Sequence, residues 1–193
     1  KVIVGQRNGK SWLTWIGDAA QPILPTEKTI SNSAKLTWQD EPISTSDWED
    51  QVTKLVRKIQ SGNVDKVVLA RDQSAKADSE IDVRSVLRNL ASEYPSTWNF
   101  AVAGLVGATP ELLLRLSKGM VTSRVLAGTI SKTGDDERDL ALAGSLARSS
   151  KDLEEHNYAV RSVADALEPF CSSTNVPESP FVLHLTNVMH LAT

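Results

Sequence analysis

Residues 98–106, 112–116 and 120–126 are three short apolar segments bounded by turn-forming residues, and each reads as a strand. The Ser117-Lys118-Gly119 link between the last two is a hairpin turn, far shorter than the dozen or so residues that a parallel crossover needs. Such a link favours antiparallel neighbours. Helical patterns flank these strands in separate runs, so the expected fold class is α+β rather than a doubly wound parallel sheet.

Ser46-Asp47-Trp48-Glu49 has capping-box spacing, and Trp48, Val52, Leu55, Val56 and Ile59 then recur every three or four residues until Ser61-Gly62. One amphipathic helix is predicted there. A second places Val83, Val86, Leu87 and Leu90 on its inner face and stops before Pro95. After the strands, Leu140, Ala143, Leu146 and Ala147 keep helical spacing, as do Leu153, Val160, Val163, Ala164 and Leu167 up to Pro169, and the remainder is read as helical. Residues 66–71, Lys-Val-Val-Leu-Ala-Arg, are short and β-branched and predict a buried strand. At the start of the chain, Val2, Val4, Trp12 and Trp15 surround a Gln6-Arg7-Asn8-Gly9 turn, which predicts a strand pair. Residues 17–43 are polar and carry Pro22, Pro25 and Pro42, so they read as a long connection with little helix. The expected division is therefore residues 1–45, strands and connection, and residues 46–193, the main α+β region.

Composition narrows the partners. Against 24 Asp+Glu there are 21 Lys+Arg, a net charge of -3, which gives no general pull toward nucleic acid or an anionic membrane surface. No run approaches the roughly 18 apolar residues of a membrane span. The single Cys171 forms no internal disulfide and fits a reducing compartment, so a cytoplasmic location is expected.

Several residues invite chemistry. Lys66 opens an apolar run, where partial loss of hydration makes a lysine a usable base, although most lysines in such positions reach solvent. Glu111 follows Thr109-Pro110 at the mouth of Leu112-Leu113-Leu114, the setting of a carboxyl acid or of an ordinary turn carboxylate. Asp152 and Glu155, three apart on a predicted helix, share a face that suits a hard cation or simply balances Arg148 or Lys151. Glu154-Glu155-His156 lacks the two-histidine spacing of a helical zinc motif. Gly128, in Leu126-Ala127-Gly128-Thr129, ends a strand by this reading and either offers its N–H to an anion or only turns the chain. His190 lies in an apolar stretch typical of a hydrogen-bonded structural histidine.

Taken in order, Asp65-Lys66-Val67-Val68-Leu69-Ala70-Arg71, Gly107-Ala108-Thr109-Pro110-Glu111-Leu112-Leu113-Leu114-Arg115, Leu126-Ala127-Gly128-Thr129, Lys151-Asp152-Leu153-Glu154-Glu155-His156 and His190-Leu191-Ala192-Thr193 resemble the chorismate-utilising enzymes. The resemblance is nearest to the isochorismate synthases of menaquinone and siderophore pathways, and it runs from about Ser46 to Thr193. It implies the layered antiparallel-sheet fold of the anthranilate synthase component I type, of which this chain would be the N-terminal part. The C-terminal half, which in the family supplies a further Mg²⁺-binding glutamate and an arginine for the substrate carboxylate, is expected to be missing. On that reading, strands near the cut lack partners and apolar surface stands exposed.

By matching position, the resemblance implies Lys66 as the base that activates water toward C2 of chorismate and Glu111 as the acid that protonates the departing C4 hydroxyl. It further implies Glu155 as a Mg²⁺ ligand with Asp152 beside it, and Ala127, Gly128, Thr129 and His190 as substrate-site residues. Lys66 is of the type found in isochorismate and salicylate synthases; aminating relatives such as anthranilate synthase lack it. Ala127 stands where aminodeoxychorismate enzymes carry a nucleophilic lysine, which closes that covalent route. Val125 replaces the usual family proline and Ser150 a frequent glutamate, and neither removes a proposed catalytic group. The implied partner is chorismate and the implied state a monomer. A salicylate-forming or anthranilate-synthase-like enzyme, and a non-catalytic binding domain on the same scaffold, are the alternatives.

Overall fold

The computed structural model describes residues 2–17, 23, 26, 28–30, 34–39 and 43–193. The chain forms two compact units, Lys1–Ile30 and Ser31–Thr193. Most of the predicted connection over residues 17–43 lies outside the described residues.

The first unit contains the predicted strand pair. Strands β1 (Val2–Arg7) and β2 (Lys10–Trp15) run antiparallel with Arg7 opposite Lys10. Asn8 and Gly9 turn the chain at φ 50° and 74°, both in the left-handed region that a tight primed turn demands.

In the second unit, β3 (Leu36–Trp38) pairs antiparallel with β4 (Ala75–Ala77), two short strands that the sequence pattern did not reveal. Helix α1 (Thr45–Gln60) forms where predicted, but its cap is Ser44 rather than Ser46. Ser44 Oγ accepts from Asp47 N–H at 3.1 Å and donates to Asp47 Oδ2 at 2.7 Å, so a reciprocal cap exists two residues earlier than the expected box. At the other end the Gly62 N–H donates to Ile59 O at 2.9 Å and the Asn63 N–H to Lys58 O at 3.1 Å, closing the helix at the predicted stop.

Residues 66–71 are not the buried strand expected. They are irregular, and Val68 is 76% exposed. A strand exists only with a neighbour to bond, and none of the described strands pairs with this run.

Helix α2 (Val83–Glu93), capped by Asp82, packs on a hairpin of β5 (Trp98–Val102) and β6 (Leu105–Thr109). The single strand predicted for residues 98–106 is thus two strands, folded at Ala103-Gly104 through φ 50° and 89°. Strands β7 (Leu112–Ser117) and β8 (Met120–Arg124) make the hairpin that the short link required.

The largest correction concerns the end of the chain. The strand read as ending at Gly128 is a separate strand, β9 (Leu126–Ser131), and of the remainder, expected to be helical, α3 (Asp136–Arg148) and α4 (Ser150–Leu167) are helices, whereas β10 (Phe181–His184) and β11 (Val188–Ala192) are strands. These strands form one antiparallel sheet in the order β10-β11-β9. β10 and β11 form a hairpin, whereas the pairing of β11 with β9 joins residues some sixty positions apart, which no local period announces.

The core sits on this sheet. Met189 and Leu191 are fully buried with Ala143 and Leu146 of α3, and Ile130, Leu142, Leu153 and Val182 pack around them. Each large side chain so buried stabilises the fold by roughly 1.5–3 kcal/mol. Ala143 and Leu146 are buried as predicted, but Leu140, assigned to the same stripe, is 72% exposed, and Asp139 is buried in its place. Among the described residues many large apolar side chains stand exposed, including Leu113 (80%) and Leu116 (69%) on β7. No helix of the described residues is long and apolar enough to cross a membrane.

Asp139 is a buried polar residue at the base of α3. Its carboxylate accepts from Thr133 N–H (2.7 Å), Thr133 Oγ1 (2.8 Å) and Gly134 N–H (3.3 Å), fastening the loop between β9 and α3. The Thr133 backbone bond, followed by its hydroxyl, the Gly134 backbone and the charge of Lys132, outweighs desolvation and holds this carboxyl below the ordinary aspartate range. A lowered folded-state value means that the stability it contributes is complete above the unfolded value and is lost as pH falls through the folded one. Thermal melts should therefore show Asp139→Asn less stable than wild type at neutral pH, with the gap closing as pH drops through and below the usual carboxylate range. A gap independent of pH would contradict the carboxylate's role. For the helix cap, Ser44→Ala should lower stability by about 1 kcal/mol in urea titrations while Ser46→Ala stays within about 0.5 kcal/mol.

Candidate active site

The predicted residues lie on β9, on the first turns of α4 that pack against it, or in contact with one of these. Strand β9 faces β11 with Thr129 opposite His190 and Ala127 opposite Leu191, so Gly128 is an extra, unpaired residue in a bulge. It lies inside the strand rather than ending it, and its φ of 77° is left-handed. A Cβ there would come within 3.1 Å of Asp152 Cβ and 3.4 Å of Leu191 Cδ1. Glycine is thus required twice, for conformation and for the close approach of α4.

Ser149 caps α4: its Oγ accepts from the Asp152 N–H at 3.3 Å and donates to Asp152 Oδ2 in a short hydrogen bond. Lys151 Nζ lies 3.6 Å from Asp152 Oδ1 and 3.7 Å from Glu155 Oε2, bridging the two carboxylates. Lys66, irregular backbone notwithstanding, reaches the same turn. Its Nζ is 3.7 Å from Glu155 Oε1 and donates to the Glu155 carbonyl at 3.5 Å, with both side chains about one-third exposed.

Glu111 is held at the start of β9. Its Oε1 accepts the Leu126 N–H at 3.1 Å, immediately before Ala127, while its own N–H donates to Thr109 Oγ1 at 3.1 Å. It lines a small cleft with Thr109, Leu113, Arg124 and Val163. Across the sheet, Thr129 Oγ1 and His190 Nδ1 lie 2.9 Å apart. Lys66, Asp152 and Glu155 therefore share one cluster, Thr129 and His190 a second, and Glu111 is tied to the backbone of the strand that joins them.

The donor chemistry of Asp152 and Glu155 fits a hard cation such as Mg²⁺, which prefers carboxylate oxygen and keeps several waters among its roughly six ligands. Among the described residues no group of three or more His, Cys, Asp and Glu side chains converges as a complete metal site. These carboxylates provide two ligands at most, and Ser149, Lys151 and Lys66 contact their oxygens.

His156 is not among the site residues that the sequence pattern singles out. It is 3% exposed, and its Nε2 lies 2.7 Å from Thr193 Oγ1. Burial pushes the imidazole below its ordinary value, opposed by the Ala127 backbone, whose help falls short of a full hydrogen bond to Nδ1. The available signal was phase: positions 153, 156 and 160 fall on one stripe with apolar Leu153 and Val160, where a histidine must be buried.

Gly128→Ala should lower stability by about 1–3 kcal/mol in urea titrations, the range expected for forcing a left-handed, crowded position. Gly119→Ala, at φ 78° in a hairpin turn with nothing within 4 Å of the added carbon, is the comparison and should cost less. Equal losses would show that conformation alone, and not the approach of Asp152, sets the requirement.

The profile of the chorismate binding enzyme family matches residues 9–193. The salicylate biosynthesis isochorismate synthase of Pseudomonas aeruginosa is 36% identical over 150 residues, covering 76% of this chain and 31% of that protein. Isochorismate synthase DhbC of Bacillus subtilis is 32% identical, over 76% of this chain and 39% of its own length. Among solved structures, a 2,3-dihydroxybenzoate-specific isochorismate synthase from Bacillus anthracis superposes with a TM-score of 0.77 at 31% identity, covering 86% of this chain and 47% of that one. The menaquinone-specific isochorismate synthase of Escherichia coli gives 0.72 at 25% identity, covering 88% and 41%. The chain spans about a third of the length of the curated relatives it matches.

Proposed function

Since this chain belongs to the chorismate binding enzyme family, we propose that it carries the base, the acid and one metal-binding turn of an isochorismate synthase, a cytoplasmic, Mg²⁺-dependent enzyme that isomerises chorismate. The carrying observation is that Lys66 contacts Glu155 on α4 while Glu111 is anchored on the Leu126 N–H of β9, so groups 89 and 15 residues apart in sequence are held on a helix and a strand that pack together.

In this reading a water delivers its oxygen to C2 of chorismate as Lys66, in its neutral form, takes the water's proton. The ring double bonds shift, the C4–O bond breaks, and Glu111 gives its proton to the departing hydroxyl, which leaves as water. One water enters and one leaves, so product and substrate are isomers. General acid and base groups of this kind each contribute about 10²–10⁴-fold. Asp152 and Glu155 would hold Mg²⁺, which when bound supplies charge neutralisation and orientation for a substrate carboxylate. Gly128 and Thr129 on β9, with His190 opposite, form the substrate-facing wall. Ala127 offers no nucleophile, so no covalent enzyme adduct forms there.

The full-length protein carrying these residues, incubated with chorismate and Mg²⁺, should yield isochorismate on chromatography. Anthranilate with ammonia, salicylate as sole product, or no turnover would overturn the assignment, the last favouring a binding domain. Lys66→Ala and Glu111→Gln should each lower kcat by about 10²–10⁴-fold with circular dichroism unchanged.

A further inference from the structure

Neither Thr193 nor His156 has a part in the proposed proton transfers, yet both sit between the groups that do. Thr193 and Val125 exchange backbone hydrogen bonds in both directions, Val125 N–H to Thr193 O at 2.9 Å and Thr193 N–H to Val125 O at 3.1 Å. Val125 is buried, and the next residue, Leu126, donates its N–H to Glu111. On its other side Thr193 meets His156 through Oγ1 and Nε2, 2.7 Å apart. His156 is in turn the neighbour of Glu155, which Lys66 contacts.

We propose that His156 and Thr193 are a pair of positioning residues that set the spacing between the α4 turn carrying Glu155 and the Val125-Leu126 backbone that holds Glu111. The inference rests on the proposed function, since it concerns the two ends of that site. An apolar side chain at position 156 would bury as well among Leu153 and Val160 without leaving Nδ1 short of a partner. What the imidazole adds is direction: a short hydrogen bond fixes rotation and translation of α4 against the end of β11, where apolar contacts permit sliding. Displacement of reacting groups by about 1 Å costs on the order of 10²-fold in rate, so a loss here falls on turnover more than on binding.

The test compares Thr193→Val, which keeps shape and removes the hydroxyl, with Thr193→Ser, which keeps the hydroxyl, in the full-length protein at a temperature where circular dichroism shows all variants folded. With chorismate and Mg²⁺, Thr193→Val should lower kcat about 10- to 100-fold with KM within about threefold, and Thr193→Ser should stay near wild type. His156→Gln should lower kcat similarly, and combining it with Thr193→Val should add little, as members of one unit do. Wild-type kcat in Thr193→Val, equal loss in Thr193→Ser, or a raised KM at unchanged kcat would overturn the pair's role while leaving the function standing. A wild-type protein that does not convert chorismate would overturn the proposed function and this inference together.

Discussion

Burial of Met189 and Leu191 under α3 and α4 draws the start of α4 against β9, at a point where a single methyl group would already crowd Asp152. The geometry of the site follows from that packing. Glu155 lies one turn beyond Asp152, and Lys66 reaches it from a segment without regular structure, so the cluster moves with α4. Gly128 matters here less as a ligand-facing backbone than as the absence that lets helix and strand meet. The bulge that Gly128 creates also realigns the strand, leaving Thr129 and not Gly128 opposite His190.

Features governed by near neighbours were legible in the sequence. Helix α2, the end of α1 and the β7–β8 hairpin depend on caps, turns and three- or four-residue spacing, all of which local patterns report. The β9–β11 pairing was not legible, because its stability comes from joining distant segments and from the helices packed on it. Residues 66–71 failed for the complementary reason: their composition suits a strand, but composition supplies no partner. The candidate site was legible as an ordered set of motifs, whereas the contacts within it were not. No spacing rule places Lys66 on Glu155 or Glu111 on the Leu126 N–H.

Asp139 and His156 show a second limit. Both are polar residues on helices, and a polar residue on a helix is ordinarily read as part of the solvated face. Each instead occupies the apolar stripe, Asp139 in phase with Ala143 and Leu146, His156 with Leu153 and Val160. Burial then obliges each to find partners, and the two solutions differ. Asp139 is nearly saturated by Thr133 and Gly134 and acts as a local fastener, whereas His156 satisfies one nitrogen at Thr193, just past the end of β11. The first organises a loop; the second connects two elements that carry different chemical groups.

The contact between Lys66 and Glu155 has its own physical meaning. At 3.7 Å, with both side chains about one-third exposed, water screens the pair, and exposed pairs of this kind contribute at most about 1 kcal/mol. That is less than a tenfold preference for the paired arrangement. A lysine so weakly held is kept near the α4 turn without being locked to it, and its stem spans the distance by rotation of single bonds rather than by movement of the backbone. A tightly buried ion pair would do the opposite, leaving a desolvated carboxylate behind whenever the amine moved. Partial exposure at this corner of the fold is therefore what allows Lys66 to exchange Glu155 for a water molecule at small cost, the motion that the proposed base requires.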